Sequence, residues 1–313
     1  MDYTTFGRTE LQVSVMGLGG GGHSRLGLSQ QKSESESVEI IQKALQLGIN
    51  FIDTAEAYGT EARIGKALSA DQRKNVILSS KYTLYADAVL RKPAQLEQSL
   101  DASLKHLNTD YIDVYHLHGV RLQDYDYAQS YLAPELFKMR DKGKIRFLGI
   151  TEAFVPDPSH MMLRRAVQDD IWDVVMVGFN ILNQSAREIV LQPCIEKNIA
   201  VLDMFAVRRA LTRSDILAEF ARDMMNQGLL PENAVDLQNP LGFLIHPEGA
   251  VSLPDAAYRF VRYEPGIHCV LSGTGNVAHL EANVESANRA PLPDAHVATL
   301  RKLFANINSV SGN

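Results

Sequence analysis

Eight short apolar runs, each followed by a segment compatible with a helix, repeat from one end of this 313-residue chain to the other. They are VMGLG (Val15 to Gly19), NFIDTA (Asn50 to Ala55), VILSSKY (Val76 to Tyr82) and YIDVYHLH (Tyr111 to His118), then RFLGI (Arg146 to Ile150), DVVMVGFN (Asp173 to Asn180), IAVLDMF (Ile199 to Phe205) and HCVLSG (His268 to Gly273). Most are almost continuously apolar, as parallel strands covered on both faces must be. The intervening segments carry the helical period: Leu96, Leu100, Leu104 and Leu107 recur on one face of AQLEQSLDASLKHLN. Strand-helix alternation predicts a parallel α/β architecture. Eight repeats predict a closed (β/α)8 barrel, the TIM barrel, over an open doubly wound sheet. The glycine-rich stretch Gly17 to Gly22 has no helix signal directly after it, so the dinucleotide fingerprint of open sheets is not met.

Around that frame, FGRTELQVS predicts a hairpin turning near Gly7 and Arg8 that caps the barrel floor. The segment His23 to Glu39 is polar and reads as a loop leading to the first helix. Two segments exceed a minimal barrel: Thr212 to Tyr263, and the tail after Pro293, where HVATLRKLFANI predicts a final amphipathic helix. No linker rich in Gly, Pro or Ser divides the chain, so one domain is expected over residues 1–313. A formal net charge of −6 argues against a general nucleic-acid or anionic-membrane binder. The two cysteines, Cys194 and Cys269, have neither metal-ligand nor disulfide-framework spacing. Neither a signal peptide nor an apolar run of about 18 residues is visible. The expectation is a cytoplasmic enzyme without a metal; its oligomeric state is left open.

Active sites of such barrels lie at the carboxyl ends of the strands. Asp53 ends the second strand, Lys81 the third and His118 the fourth, and Tyr58 follows Asp53 by five residues. In YIDVYHLH, His118 shares parity with Val114 and His116, so an inward Val114 implies an inward His118. An acid, an ammonium, an imidazole and a phenol at one rim suit carbonyl reduction with a nicotinamide. The developing alkoxide needs a proton, and a phenol becomes a useful acid when a nearby cation favours its ionised form. Lys81 supplies that charge, Asp53 holds the lysine, and His118 donates to the substrate oxygen. Taken singly, each residue is more often a solvated charge, a packing group or a structural donor.

The stretch GINFIDTAEAYGTEARIGKAL (Gly48 to Leu68) resembles the aldo-keto reductase signature. ILSSKY, DYIDVYHLHG, GKIRFLGIT and LSGTGNVAHLEANV match that family in place and order, so the resemblance runs from about Phe6 to about Ala287. It implies a (β/α)8 barrel, an extended NADP(H), with NAD(H) as the alternative, and Tyr58, Asp53, Lys81 and His118 as the catalytic set. His116 stands where the family often has glutamine, one layer deeper, and reads as structural. The resemblance places Thr151 and Glu152 near the nicotinamide carboxamide. Met176 replaces a glutamine there, with Asn180 nearby. Ring stacking falls to Met204 or Phe205, and the backbone of Ala206 and Val207 faces the diphosphate. Gly19 and its neighbouring glycines permit close approach of the backbone to cofactor and substrate. Ser272, Gly273, Thr274, Gly275 and Asn276 resemble the phosphate loop, with His279 and Asn283 in the helix after it. That loop has no Lys or Arg, and Ala282 replaces a common glutamate, so Arg208 and Arg209 are the expected cations for a 2′-phosphate.

Substrates are expected to be small aldehydes or ketones. Two alternatives stand beside this reading: an NAD(P)+-dependent aldose dehydrogenase, and a non-catalytic cofactor-binding regulatory barrel. Asp124, Tyr125 and Tyr127 are candidates for a substrate rim, and Trp172 for packing.

Overall fold

A computed structural model describes residues 1–312. Strands β1 (Tyr3–Thr5) and β2 (Gln12–Ser14) form an antiparallel hairpin around a turn at Gly7–Thr9. The next three are β3 (Met16–Gly19), β4 (Phe51–Asp53) and β5 (Ile77–Thr83). A small hairpin of β6 (Tyr85–Ala86) and β7 (Val89–Leu90) follows directly on β5. Then come β8 (Ile112–Val120), β9 (Ile145–Glu152), β10 (Val174–Gly178), β11 (Ala200–Met204) and β12 (Cys269–Ser272). Strands β3, β4, β5, β8, β9, β10, β11 and β12 close in that order into a parallel barrel. Each of the eight apolar runs supplies one barrel strand.

Two hydrophobic layers follow from strand alternation. Phe51, Ile77, Val114, Val174, Met176, Leu202 and Cys269 form the inner cluster, closed from below by Phe6 and Val13 of the hairpin. Phe6 meets Phe51 edge-on, with centroids 5.6 Å apart. The hairpin is therefore a plug, as the sequence predicts. Tyr115 and Leu117, of opposite parity to Val114, belong to the larger cluster between strands and helices. His116 points into the lumen, fully buried, and neither ring nitrogen has a protein hydrogen-bond partner. Burial and the Lys81 charge hold its pKa well below the ordinary value, so the ring is neutral. A Cβ at residue 149 would lie 2.1 Å from its Nδ1. Gly149 on the neighbouring strand makes the room this imidazole occupies.

The segment read as a polar loop is shorter than expected. The first helix starts at Glu34, because Ser33 and Glu36 form a reciprocal capping box that stops the loop there. The final amphipathic helix spans Asp294–Leu303. Beyond it the chain returns to the carboxyl ends of the strands. Val310 O accepts from Asn183 Nδ2 at 2.8 Å, and Ser311 O accepts from Asn180 Nδ2 at 3.4 Å. Among the described residues, no helix is long and apolar enough to cross a membrane, and no group of three or more His, Cys, Asp or Glu could hold a metal.

Candidate active site

Parity brings three strand ends together. Asp53 stands two residues above Phe51, Lys81 four above Ile77 and His118 four above Val114, and all three lower residues line the lumen. Lys81 is fully buried. Its Nζ donates to Asp53 Oδ1 at 2.7 Å, to Asp53 Oδ2 at 2.6 Å and to Thr54 O at 2.6 Å. Ser79 Oγ donates to Asp53 Oδ1 at 2.7 Å. Burial pushes the Asp53 carboxyl upward, while Lys81 and Ser79 pull it back. Ser79 was not singled out from sequence, although its parity with Lys81, two residues on, was the available signal.

Tyr58 closes a short helical turn, Glu56–Tyr58, that follows β4. Its Oη lies 3.1 Å from His118 Nε2, with the rings edge to face at 5.3 Å. Lys81 Nζ sits 5.1 Å from the Tyr58 ring centroid. The four side chains thus form one cluster. Its electrostatics differ from the expectation in one respect. Burial raises the Tyr58 phenol above its ordinary value, and the Lys81 ammonium only partly offsets this. His118 is pushed down to about 3, first by burial and then by the Lys81 charge. At neutral pH the pair is therefore an uncharged phenol beside an uncharged imidazole.

The glycine-rich stretch after β3 shapes this cluster. A Cβ at residue 21 would lie 2.4 Å from Tyr58 Cε2 and 2.6 Å from Cζ, so only glycine lets the loop lie against the ring. Gly21→Ala must therefore shift the loop or the phenol. Because a displacement of about 1 Å can cost about 100-fold in rate, we expect kcat to fall by one to two orders of magnitude with little loss of Tm. Steady-state kinetics beside a thermal melt check this; an unchanged kcat would contradict it.

The residues named for a cofactor are spread along the rim from β9 to the helix after β12. Thr151 Oγ1 accepts from Gly119 N at 2.7 Å. Glu152 faces away from the lumen, because it has the opposite parity to Phe147. Its carboxylate accepts from Gly178 N at 2.8 Å and lies 2.9 Å from His160 Nδ1 in a fully buried pair. Asn180 Oδ1 caps the turn above β10, accepting from Leu182 N and Asn183 N at 2.9 and 3.0 Å. Met176 lines the lumen below. Met204 packs against the inner cluster, and Val207 against the outer one. Phe205 lies between Phe154 and Arg208. Arg208 is buried, whereas Arg209 is exposed.

After β12, Asn276 caps the helix Val277–Asn288, its side chain accepting from His279 N at 3.2 Å, and Thr274 Oγ1 accepts from Asn276 N at 3.1 Å. Asn283 Nδ2 donates to Ser272 Oγ at 2.9 Å. Gly275 lies against Gly27, and a Cβ on Gly19 would stand 3.6 Å from Gly273. The loops after β3 and β12 are thus neighbours.

Of the residues suggested for a substrate rim, Asp124 and Tyr125 are held inside the surrounding loops, whereas Tyr127 is half-buried. Tyr125 is fully buried, donates to Asp169 Oδ2 at 2.6 Å and accepts from Trp172 Nε1 at 3.1 Å, so it cannot line a rim. Asp124 is buried and accepts from Tyr85 of the small hairpin at 2.7 Å. Tyr127 donates to Arg91 O at 2.8 Å.

The chain is similar to known proteins. The aldo/keto reductase family model covers residues 15–305. An uncharacterized oxidoreductase of Bacillus subtilis, YqkF, is 24% identical over 305 residues, covering 94% of each chain. L-galactose dehydrogenase of Arabidopsis thaliana is 34% identical over 157 residues, which is 48% of this chain and 48% of that enzyme. Among solved structures, an aldo-keto reductase from Bacillus halodurans in its holo form superposes with a TM-score of 0.74, covering 97% of this chain and 96% of that one. At 22% identity that likeness speaks for the fold alone.

Proposed function

The chain belongs to the aldo/keto reductase family, and from that premise we propose that it interconverts an aldehyde or ketone and its alcohol, with Tyr58 as the general acid and base. The cluster of Tyr58, His118, Lys81 and Asp53 is the observation that carries this reading. A nicotinamide dinucleotide, when bound, supplies or accepts the hydride. The residues present suit such a group: the glycine-bearing loops after β3 and β12 lie side by side at the rim, and a buried arginine follows β11. Thr151, Met204, Phe205 and the Gly273–Asn276 loop are the residues that would hold it.

In reduction, Tyr58 Oη gives its proton to the developing alkoxide, and the phenolate left behind sits beside Lys81. The ammonium cannot swing away, because Asp53 and Thr54 hold it. Its charge therefore acts at a fixed place, at no reorganisation cost during the reaction. His118, neutral and edge-on to Tyr58, orients the substrate oxygen as a donor in its Nε2–H tautomer.

Turnover of NADPH or NADH with a panel of aldehydes, ketones and aldoses, followed from pH 5 to 9, tests this. A measurable rate is expected, with no inflection in that range. His118 with a pKa of about 3 stays neutral throughout, and Tyr58, raised above its ordinary value, loses its proton only at higher pH. An inflection between pH 5 and 8 that disappears in His118→Gln would contradict these protonation states. No turnover across the panel would favour the regulatory barrel. The partial likeness to L-galactose dehydrogenase supports a second reading, oxidation of an aldose; faster turnover with NAD(P)+ and an aldose than in the reductive direction would select it.

A further inference from the structure

Among the described residues, the buried Arg208 has no counter-charge. It is 6% exposed, and burial alone lowers its pKa to about 10, with no carboxylate among the described residues acting to restore it. Nη2 donates to Ser311 Oγ at 3.1 Å, while Nε has no partner among the described residues. Buried charges are ordinarily paired, because a guanidinium taken out of water loses hydration that one neutral hydroxyl does not replace.

The position is nonetheless rigid. Arg208 Cζ lies 4.2 Å from the Phe205 ring centroid. Phe205 stacks on Phe154 at 6.1 Å and 21°, and Phe154 on His160 at 5.3 Å and 13°. The Glu152 carboxylate holds His160, and the Phe154 ring fills the space a Cβ on Gly178 would need. Four planar groups thus form one column across the ends of β9, β10 and β11, ending in the guanidinium. Such a column fixes the direction of a fork that matches two oxygens of one anion.

We propose that Arg208 is the receptor for an oxyanion carried by a ligand, either a phosphoryl oxygen of the dinucleotide's diphosphate or a carboxylate on the carbonyl substrate. The choice of ligand rests on the function proposed above; the cation site does not. The diphosphate is the first choice, since Arg208 follows β11 at the carboxyl ends of the strands and lies over Phe205 at the rim. This differs from the 2′-phosphate role expected from sequence, which falls to exposed Arg209 alone.

The test compares wild type, Arg208→Met and Arg208→Lys by thermal melts with inorganic pyrophosphate and by fluorescence titration with NADPH and NADH. Pyrophosphate should raise the wild-type Tm and leave that of Arg208→Met unchanged. Arg208→Met should melt at or above wild type without ligand, since an unpaired buried charge has been removed. Its Kd for NADPH and NADH should rise together, by roughly 10- to 100-fold. Arg208→Lys, with the charge but not the fork, should show a smaller loss, and carries the test if the methionine variant does not fold. Unchanged cofactor affinity, with a raised KM for a 2-oxo acid but not for a neutral aldehyde, would identify the substrate carboxylate as the source. A destabilised Arg208→Met with unchanged cofactor Kd, oxo-acid KM and pyrophosphate response would overturn the proposal and leave Arg208 a packing residue. A wild type that binds neither dinucleotide would sink the hydride-transfer reading instead, and the pyrophosphate melt would then decide Arg208 alone.

Discussion

Tyr58→Phe is expected to lower carbonyl turnover by about 100- to 10,000-fold, the usual contribution of a positioned general acid, while cofactor affinity and Tm stay near wild type. The substitution keeps the ring that fills the space beside Gly21 and faces Lys81. It removes only Oη and its hydrogen bond to His118, which is worth about 1 kcal/mol of stability. Loss of rate without loss of fold or binding therefore isolates the proton. Stopped-flow and steady-state rates beside a cofactor titration make the measurement. A variant within a few-fold of wild type would show that another group supplies the proton. Loss of cofactor binding together with rate would show that Tyr58 acts through the site's shape.

Lys81→Met should cost both activity and stability. The ammonium is fully buried and pairs with Asp53, Ser79 holding the same carboxylate from the other side. Removing one partner of a buried pair typically costs about 3–5 kcal/mol, because the other charge is left unpaired out of water. The pH dependence carries the signature. Without Lys81, the upward push of burial on Asp53 is less opposed, so the folded variant holds that proton to higher pH than the unfolded chain does. Its stability is then best preserved at low pH and falls as pH rises above the unfolded carboxylate value. The gap between wild type and variant in urea melts should therefore widen from pH 4 to pH 8. A constant gap would mean that Asp53 does not carry the charge the pair implies. Turnover should fall as well, since the phenolate would lose the cation beside it.

The barrel was legible because its signal is repeated. Two-sided burial makes each parallel strand an apolar run, and eight of them with helical spacers leave few other closed arrangements. The inward direction of His118 was also legible, since parity with Val114 is a local property of a strand. Less local features were not. The start of the first helix depends on the Ser33–Glu36 capping box, whose polar residues look like loop in sequence. Tyr125 carried no mark of burial; Asp169 and Trp172, 44 and 47 residues away, hold its hydroxyl inside. Glu152 gave no hint of His160, because the helix that follows turns back onto β9 only in three dimensions.

What the sequence alone determined is the alternation of periods, the four chemical types at adjacent strand ends and the glycine run beside Tyr58. These are properties of spacing and residue type, which a chain carries whether or not it is folded. Only the tertiary structure decided the protonation states and the fate of the charges. Burial, which depends on every neighbouring element at once, pushes Tyr58 up and His118 down to about 3. The same cause separates two adjacent arginines, one exposed and one enclosed behind Phe205 and the tail. In sequence Arg208 and Arg209 are equivalent; desolvation, a property of the packed fold, is what tells them apart.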